Sequence, residues 1–148
     1  MDLYALWQLL EGAGAEPGES SAQIGADGEA YAGVPADRLL AVVGALAEAE
    51  GFHHLSAITG QDLGDAIEIL YHFWWRGGLT LRVRCPREGA VLPSLMTLLP
   101  GADWYEREVR EMLGVRFSGR PPMEPLLLPE DWEGRPPMLA DDHEEDAS

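Results

Sequence analysis

Lysine is absent, cysteine occurs once, and no apolar run approaches the length of a bilayer span. Iron–sulfur clusters and structural zinc sites draw on two to four thiolates at short spacing, so Cys85 alone builds neither. One cysteine also makes no disulfide scaffold, which points to a reducing compartment. A membrane-spanning helix needs about 18 to 20 apolar residues, and the opening Met1-Asp2 carries no basic stretch of the kind that starts a secretory leader. The expectation is a chain with neither. Basic residues are also scarce: ten arginines stand against 26 acids, for a net charge of -16. Such a chain repels phosphate backbones, and Arg82, Arg84 and Arg87 are too few to form a basic stripe, so nucleic acid is not an expected partner.

What is present suits one folded core. The 148 residues are 46% apolar, enough to bury roughly two-thirds of the unfolded surface. Charge is unevenly placed. Residues 1–50 carry nine acids and one base, 51–100 four of each, and 101–148 thirteen and five.

The periodicity predicts an α+β fold, with a small mixed or antiparallel sheet of about four strands, helices packed on one face, and an extended proline-rich C-terminal arm. Asp2 reads as the N-cap of a short helix with Leu3, Leu6, Trp7 and Leu10 on one face, ending near Gly12 or Gly14. Residues 12–28 read as a mobile loop and 29–34 as a short strand. Pro35 opens a helix with Leu39, Val42, Val43 and Leu46 on its apolar face, closed by Gly51. Strands are expected at 54–59, 65–75 and 79–85. The second has Ile67, Ile69, Tyr71, Phe73 and Trp75 on one face; the third has Leu79, Leu81, Val83 and Cys85. Cys85 thus reads as a small buried hydrophobe rather than a nucleophile.

A three-residue loop, Arg76-Gly77-Gly78, would set Trp75 opposite Leu79, Phe73 opposite Leu81, Tyr71 opposite Val83 and Ile69 opposite Cys85. A two-residue loop would instead put Phe73 against Arg82. On the outer face the same register sets His72 opposite Arg82 and Glu68 diagonally near Arg84, with Leu70 and Trp74 between. Trp74 reads equally well as a partner anchor or as a side chain packed under a local element.

A short helix is expected at 93–99. Residues 103–114 form an amphipathic helix with Asp103 and Glu106 at capping-box spacing, an apolar stripe of Tyr105, Val109, Met112 and Leu113, and i,i+4 pairs Glu106 with Arg110 and Arg107 with Glu111. Beyond Phe117 the periodicity stops; Pro121, Pro122, Pro125, Pro129, Pro136 and Pro137 frame the run Leu126-Leu127-Leu128. Proline prevents a continuous helix or central strand here, so those leucines and Trp132 must lie on their own domain or on a partner. The division expected is 1–117 as the domain, 118–138 as a partner-binding arm and 139–148 as an acidic disordered tail.

Catalytic motifs are missing. There is no phosphate loop, dinucleotide fingerprint, nucleophile elbow or His-Glu-x-x-His, and His53 and His54 are adjacent, so in a strand they point to opposite faces. No catalytic, cofactor-binding or metal-binding residue is assigned.

The stretch Glu106-Arg107-Glu108-Val109-Arg110-Glu111-Met112-Leu113-Gly114-Val115-Arg116-Phe117-Ser118-Gly119, followed by Leu126-Leu127-Leu128-Pro129-Glu130-Asp131-Trp132-Glu133-Gly134, resembles the signature of the C subunit, of the 30 kDa type, of the proton-pumping NADH-quinone oxidoreductase, respiratory complex I. The likeness extends over most of residues 30–137. Arg120 stands where that family usually has His or Lys.

The resemblance implies a peripheral-arm subunit of a redox translocase, without a catalytic site of its own. It implies no cofactor in this chain, with iron–sulfur clusters, FMN and quinone held by partner subunits. Its partners would be the hydrogenase-large-subunit-like D subunit and the cluster-bearing B subunit, on the cytoplasmic side of a bacterial or archaeal plasma membrane. The docking residues would be Glu106, Arg107, Glu108, Arg116, Leu127 and Trp132. Related subunits occur in energy-converting membrane hydrogenases, formate hydrogenlyases and deazaflavin-linked dehydrogenases. Two other readings are a small independent enzyme using His72, Arg82, Arg84 and Glu68, and a stand-alone acidic adaptor.

Overall fold

The computed structural model describes residues 3–13, 22–49, 51–121 and 136–138. The alternation through the middle of the chain becomes the centre of a five-stranded mixed sheet. Its strands are β1 (Ala22–Ile24), β2 (Ala30–Gly33), β3 (Phe52–Asp62), β4 (Ile67–Trp75) and β5 (Gly78–Cys85), in the order β1-β2-β5-β4-β3. All neighbours run antiparallel except β2 and β5. Ile67, Ile69, Tyr71, Phe73 and Trp75 point inward and are almost fully buried, as the period of two dictates.

Helices α1 (Leu3–Gly12), α2 (Leu39–Glu48) and α3 (Ala102–Leu113) supply the rest of the core. Leu6 and Leu10 come from α1, and Leu39, Val42, Val43 and Leu46 from α2, each at helical spacing and each buried. Full burial of one such side chain is worth about 1.5–3 kcal/mol. A second, two-stranded parallel sheet joins β6 (Val91–Pro93) to β7 (Arg116–Ser118).

The structure departs from the sequence reading in several places, the unforeseen β6–β7 sheet among them. The main sheet has five strands rather than about four, because β1 forms inside the segment read as a loop. A tight turn folds it back on β2, with Gly25 N–H donating to Glu29 O at 2.8 Å and Asp27 Oδ1 accepting from Glu29 N–H at 3.0 Å. No helix forms at 93–99; Pro93 ends β6, and a single turn follows in which Leu99 N–H donates to Leu95 O at 2.7 Å.

The β4–β5 hairpin keeps the expected faces but is displaced by two residues. Phe73 lies opposite Leu79, Tyr71 opposite Leu81, Ile69 opposite Val83 and Ile67 opposite Cys85. The left-handed backbone falls on Arg76 (φ 52°) and Gly77 (φ 109°), and Trp75 N–H donates to Gly77 O at 2.8 Å. Gly78 therefore stays in the strand. His72 consequently faces Thr80, Arg82 faces Leu70, and Glu68 sits directly opposite Arg84.

A further departure is at α3. Gly101 is its N-cap and no side chain caps it. Asp103 and Glu106 do not form a capping box; both reach Arg120 instead. The C-terminus does follow expectation, with Gly114 in the left-handed conformation (φ 77°) and its N–H on Arg110 O at 2.9 Å.

Candidate docking site

Helix α3 crosses β3 where the strand has no side chain. A Cβ on Gly60 would overlap Leu113 Cδ1, so the glycine is what lets the helix sit close. The buried stripe of α3 includes Ala102, Glu106, Val109 and Leu113. A carboxylate thus occupies a core position. Glu106 is 0% exposed, and its oxygens accept from Ser94 Oγ at 2.7 Å, Leu95 N–H at 2.7 Å and Arg120 Nη1 at 3.1 Å. The other nitrogen of the Arg120 fork, Nη2, donates to Asp103 Oδ1.

Burying a carboxylate alone would cost several kcal/mol; three donors, one of them cationic, offset that penalty. The result is a lock between α3, the turn after β6 and the chain leaving β7. Tyr71 adds a second buried polar group, with Oη unpartnered among the described residues. Its phenol is pushed well above the usual range, first by burial and then by the Glu106 carboxylate. It stays protonated at any physiological pH.

The lock fixes where the proline-rich segment departs. Arg120 immediately precedes Pro121-Pro122, and the chain returns at residue 136: Met138 N–H donates to Met112 O at 2.7 Å, against the other end of α3. Arg120 and Met138 are therefore both held on one helix. Leu127 and Trp132 fall outside the described residues.

Of the other expected docking residues, Arg107 and Glu108 are half-buried on α3, and Arg116 is exposed on β7. Glu108 borders a cleft of about 110 Å³ between α3 and β3, together with Thr59, Gly60, Met112 and Met138. Glu106 is not presented to a partner: it faces inward, and the expected pair with Arg110 is replaced by Arg120. Sequence reasoning missed Arg120 and Ser94 as parts of the lock, and Trp104, a 51% exposed tryptophan on the outward side of α3. The resemblance drawn from sequence, which sets His or Lys at the Arg120 position, was the available signal.

The residues considered for an independent enzyme lie on the outer sheet face. Glu68, Arg82 and Arg84 border one open cleft with Gly33 and Val34. His72 is outside it, bonded through Nε2 to Thr59 Oγ1 at 2.9 Å and through Nδ1 to Thr80 Oγ1 at 3.0 Å. Burial holds its pKa below the ordinary histidine value. Glu68 is occupied by Gln61 at 3.0 Å and Arg84 at 3.7 Å. Both ring nitrogens of His72 are thus spent on threonines, and among the described residues no carboxylate orients the ring.

Residues 32–146 match the family model described as the respiratory-chain NADH dehydrogenase, 30 Kd subunit. The C subunit of NADH-quinone oxidoreductase from Moorella thermoacetica is 37% identical over 108 residues, covering 70% of this chain and 73% of that protein. The protein of the same name from Roseiflexus sp. (strain RS-1) is 41% identical over 91 residues, 57% of this chain and 52% of the relative, so here the chain spans about half the length of its match. Among solved structures, a chain of the membrane-bound sulfane sulfur reductase, an archaeal respiratory membrane complex, superposes with a TM-score of 0.73 at 26% identity, covering 86% of this chain and 76% of that one. A trypsin-resistant fragment of Nqo5 shares the fold, with a TM-score of 0.61 at 23% identity over 80% of this chain and 98% of the fragment. With its signature helix α3 inside the matched span, the chain belongs to the family of the 30 Kd subunit of respiratory-chain NADH dehydrogenase.

Proposed function

We propose that this chain is the C-type subunit of a proton-pumping NADH-quinone oxidoreductase and acts as a cofactor-free structural element of its peripheral arm. The family match over residues 32–146 carries this reading. The lock at Glu106 and Arg120 gives it a physical form: a rigid α3 that holds both ends of a proline-framed segment containing three leucines and Trp132. We assign docking on the D-like and B-like subunits to that segment and to the outward side of α3, namely Trp104, Arg107 and Glu108, with Arg116 nearby in sequence on β7. Trp104 and Trp132 are the anchors, because a rigid aromatic buries a large area at little entropic cost.

Iron–sulfur clusters, FMN and quinone belong in this reading to the partners. No helix of the described residues is long and apolar enough to cross a membrane. Attachment is therefore assigned to contacts with the rest of the complex, on the cytoplasmic side.

A second reading keeps the same structural role in a complex with another electron donor or acceptor, and the likeness to a chain of the sulfane sulfur reductase complex favours it. One experiment separates them: the tagged chain is recovered from gently solubilised native membranes, and its companions are identified by mass spectrometry. D-like and B-like subunits with flavin-bearing, NADH-binding companions are the expected result. A nickel-binding large subunit, or a sulfur-reducing one, would move the chain to the second reading. Recovery alone would overturn both and favour the acidic adaptor.

A further inference from the structure

The outer face of the five-stranded sheet holds a cleft lined by two arginines. Thr59, Leu70, Arg82 and Gly33 form one row across β3, β4, β5 and β2. Gly33 ends that row without a side chain, and a cleft of about 300 Å³ opens there between Arg82, Arg84 and Glu68. At that cleft two guanidinium groups face one carboxylate, while two further acids lie along the same face, Glu29 beside Gly78 and Asp27 accepting from the Tyr31 hydroxyl.

Glu68 is shared between Arg84 and Gln61. Arg84 is 68% exposed and 3.7 Å from that carboxylate, a loose pair of little energetic weight. Arg82 is half-buried, rests 6.0 Å from the centre of the Tyr31 ring, and has no carboxylate partner among the described residues. A partly desolvated guanidinium without an anion retains the donors that recognise a carboxylate in fork geometry. Along the same face run half-buried Leu70, the Thr59–His72–Thr80 bridge and Trp74, which is 47% exposed. The strip is open and several residues long, the shape of a polypeptide contact rather than of an enclosed small-molecule site.

We propose that this face is a second docking surface, separate from α3, and that its occupant is an acidic segment of a partner subunit. One Asp or Glu of that segment enters between Arg82 and Arg84, and an apolar side chain farther along it, about 13 Å away at strand spacing, covers Trp74. Charge complementarity selects the occupant. The proposal rests on membership in a multi-subunit complex and goes beyond it, because this face lies on β2, β4 and β5 and not on α3.

The test is arginine footprinting with phenylglyoxal, read by mass spectrometry, on the full chain alone and on the complex recovered through a tag on it. Arg82 and Arg84 are expected to be modified in the free chain and protected about tenfold in the complex, the population change of about 1.4 kcal/mol. The double variant Arg82→Glu, Arg84→Glu is expected to lower recovery with the complex by about the same factor. Arg84→Gln, at an exposed position, gives a milder loss should the double variant fold poorly. Equal modification in both samples overturns the proposal. Protection in the free chain that disappears on deletion of residues 139–148 assigns the face to the chain's own acids, and protection that grows with chain concentration assigns it to a second copy; either overturns the proposal. Recovery of no companion subunit overturns the membership reading, and the proposal with it.

Discussion

Arg120 and Glu106 are tied to each other more strongly than their separation in sequence suggests. Removing the cation leaves a fully buried carboxylate with two neutral donors, and breaking such a pair costs about 3–5 kcal/mol. Arg120→Ala is therefore expected to lower the urea midpoint of the isolated chain sharply. Glu106→Gln is expected to cost less, about 1–3 kcal/mol, because an amide oxygen still accepts from Leu95 N–H or Ser94. Equal stability of Arg120→Ala and the parent would show that the lock is not structural. His72 supplies a pH test. Its folded pKa is depressed by burial, so the unfolded chain binds the proton more readily. The neutral ring's contribution is complete above the unfolded value of about 6.5 and is lost as pH falls toward the lower folded value. His72→Gln is expected to flatten the dependence of the melting temperature on pH below that value; an unchanged slope would exclude His72 as its source.

At the scale of elements, the contact of α3 with β3 hangs on a missing side chain. Gly60→Ala places a methyl group against Leu113, and overpacking of this kind costs about 1–3 kcal/mol while pushing the helix outward. The pair Gly60→Ala, Leu113→Ala is expected to recover part of the loss, and a double-mutant cycle in denaturant measures the coupling. The long elements were legible in sequence because their periods repeat: β4 and β5 alternate over nine and eight residues, and α2 and α3 carry helical stripes. Strands β1, β6 and β7 have three residues each, too few to show a period, and β6 pairs with a strand beyond α3. The hairpin register turned on which residue takes the left-handed backbone. Arg76 does so, although glycines follow it, because its N–H donates to Gly51 O at 3.2 Å and its guanidinium lies 5.3 Å from the centre of the Trp75 ring. The site was half legible for a similar reason. Polarity alone assigns Glu106 to the surface, and its partners lie 11 to 14 residues away, at distances no helical spacing reveals.

For the whole molecule the relevant quantity is how charge is distributed around a neutral centre. Net charge of -16 gathers toward residues 1–50 and 101–148, while one cleft on the outer sheet face is lined by two arginines and a single glutamate. A partner matching both must present basic and acidic regions, and association under such complementarity is steered over distances comparable with the Debye length. That length falls from about 10 Å at 0.1 M salt to about 3 Å at 1 M. The tagged chain rebinding to a complex depleted of it is therefore expected to slow at least about tenfold between 0.05 and 0.5 M sodium chloride, with a smaller change in the rate of release. Apolar anchoring through Trp104 and the leucine run alone would behave in the opposite way, since burial of apolar surface is not screened by salt. A rebinding rate that stayed level across that range would reduce the acidic ends to a solubility device and leave the aromatic anchors as the whole of the docking energy.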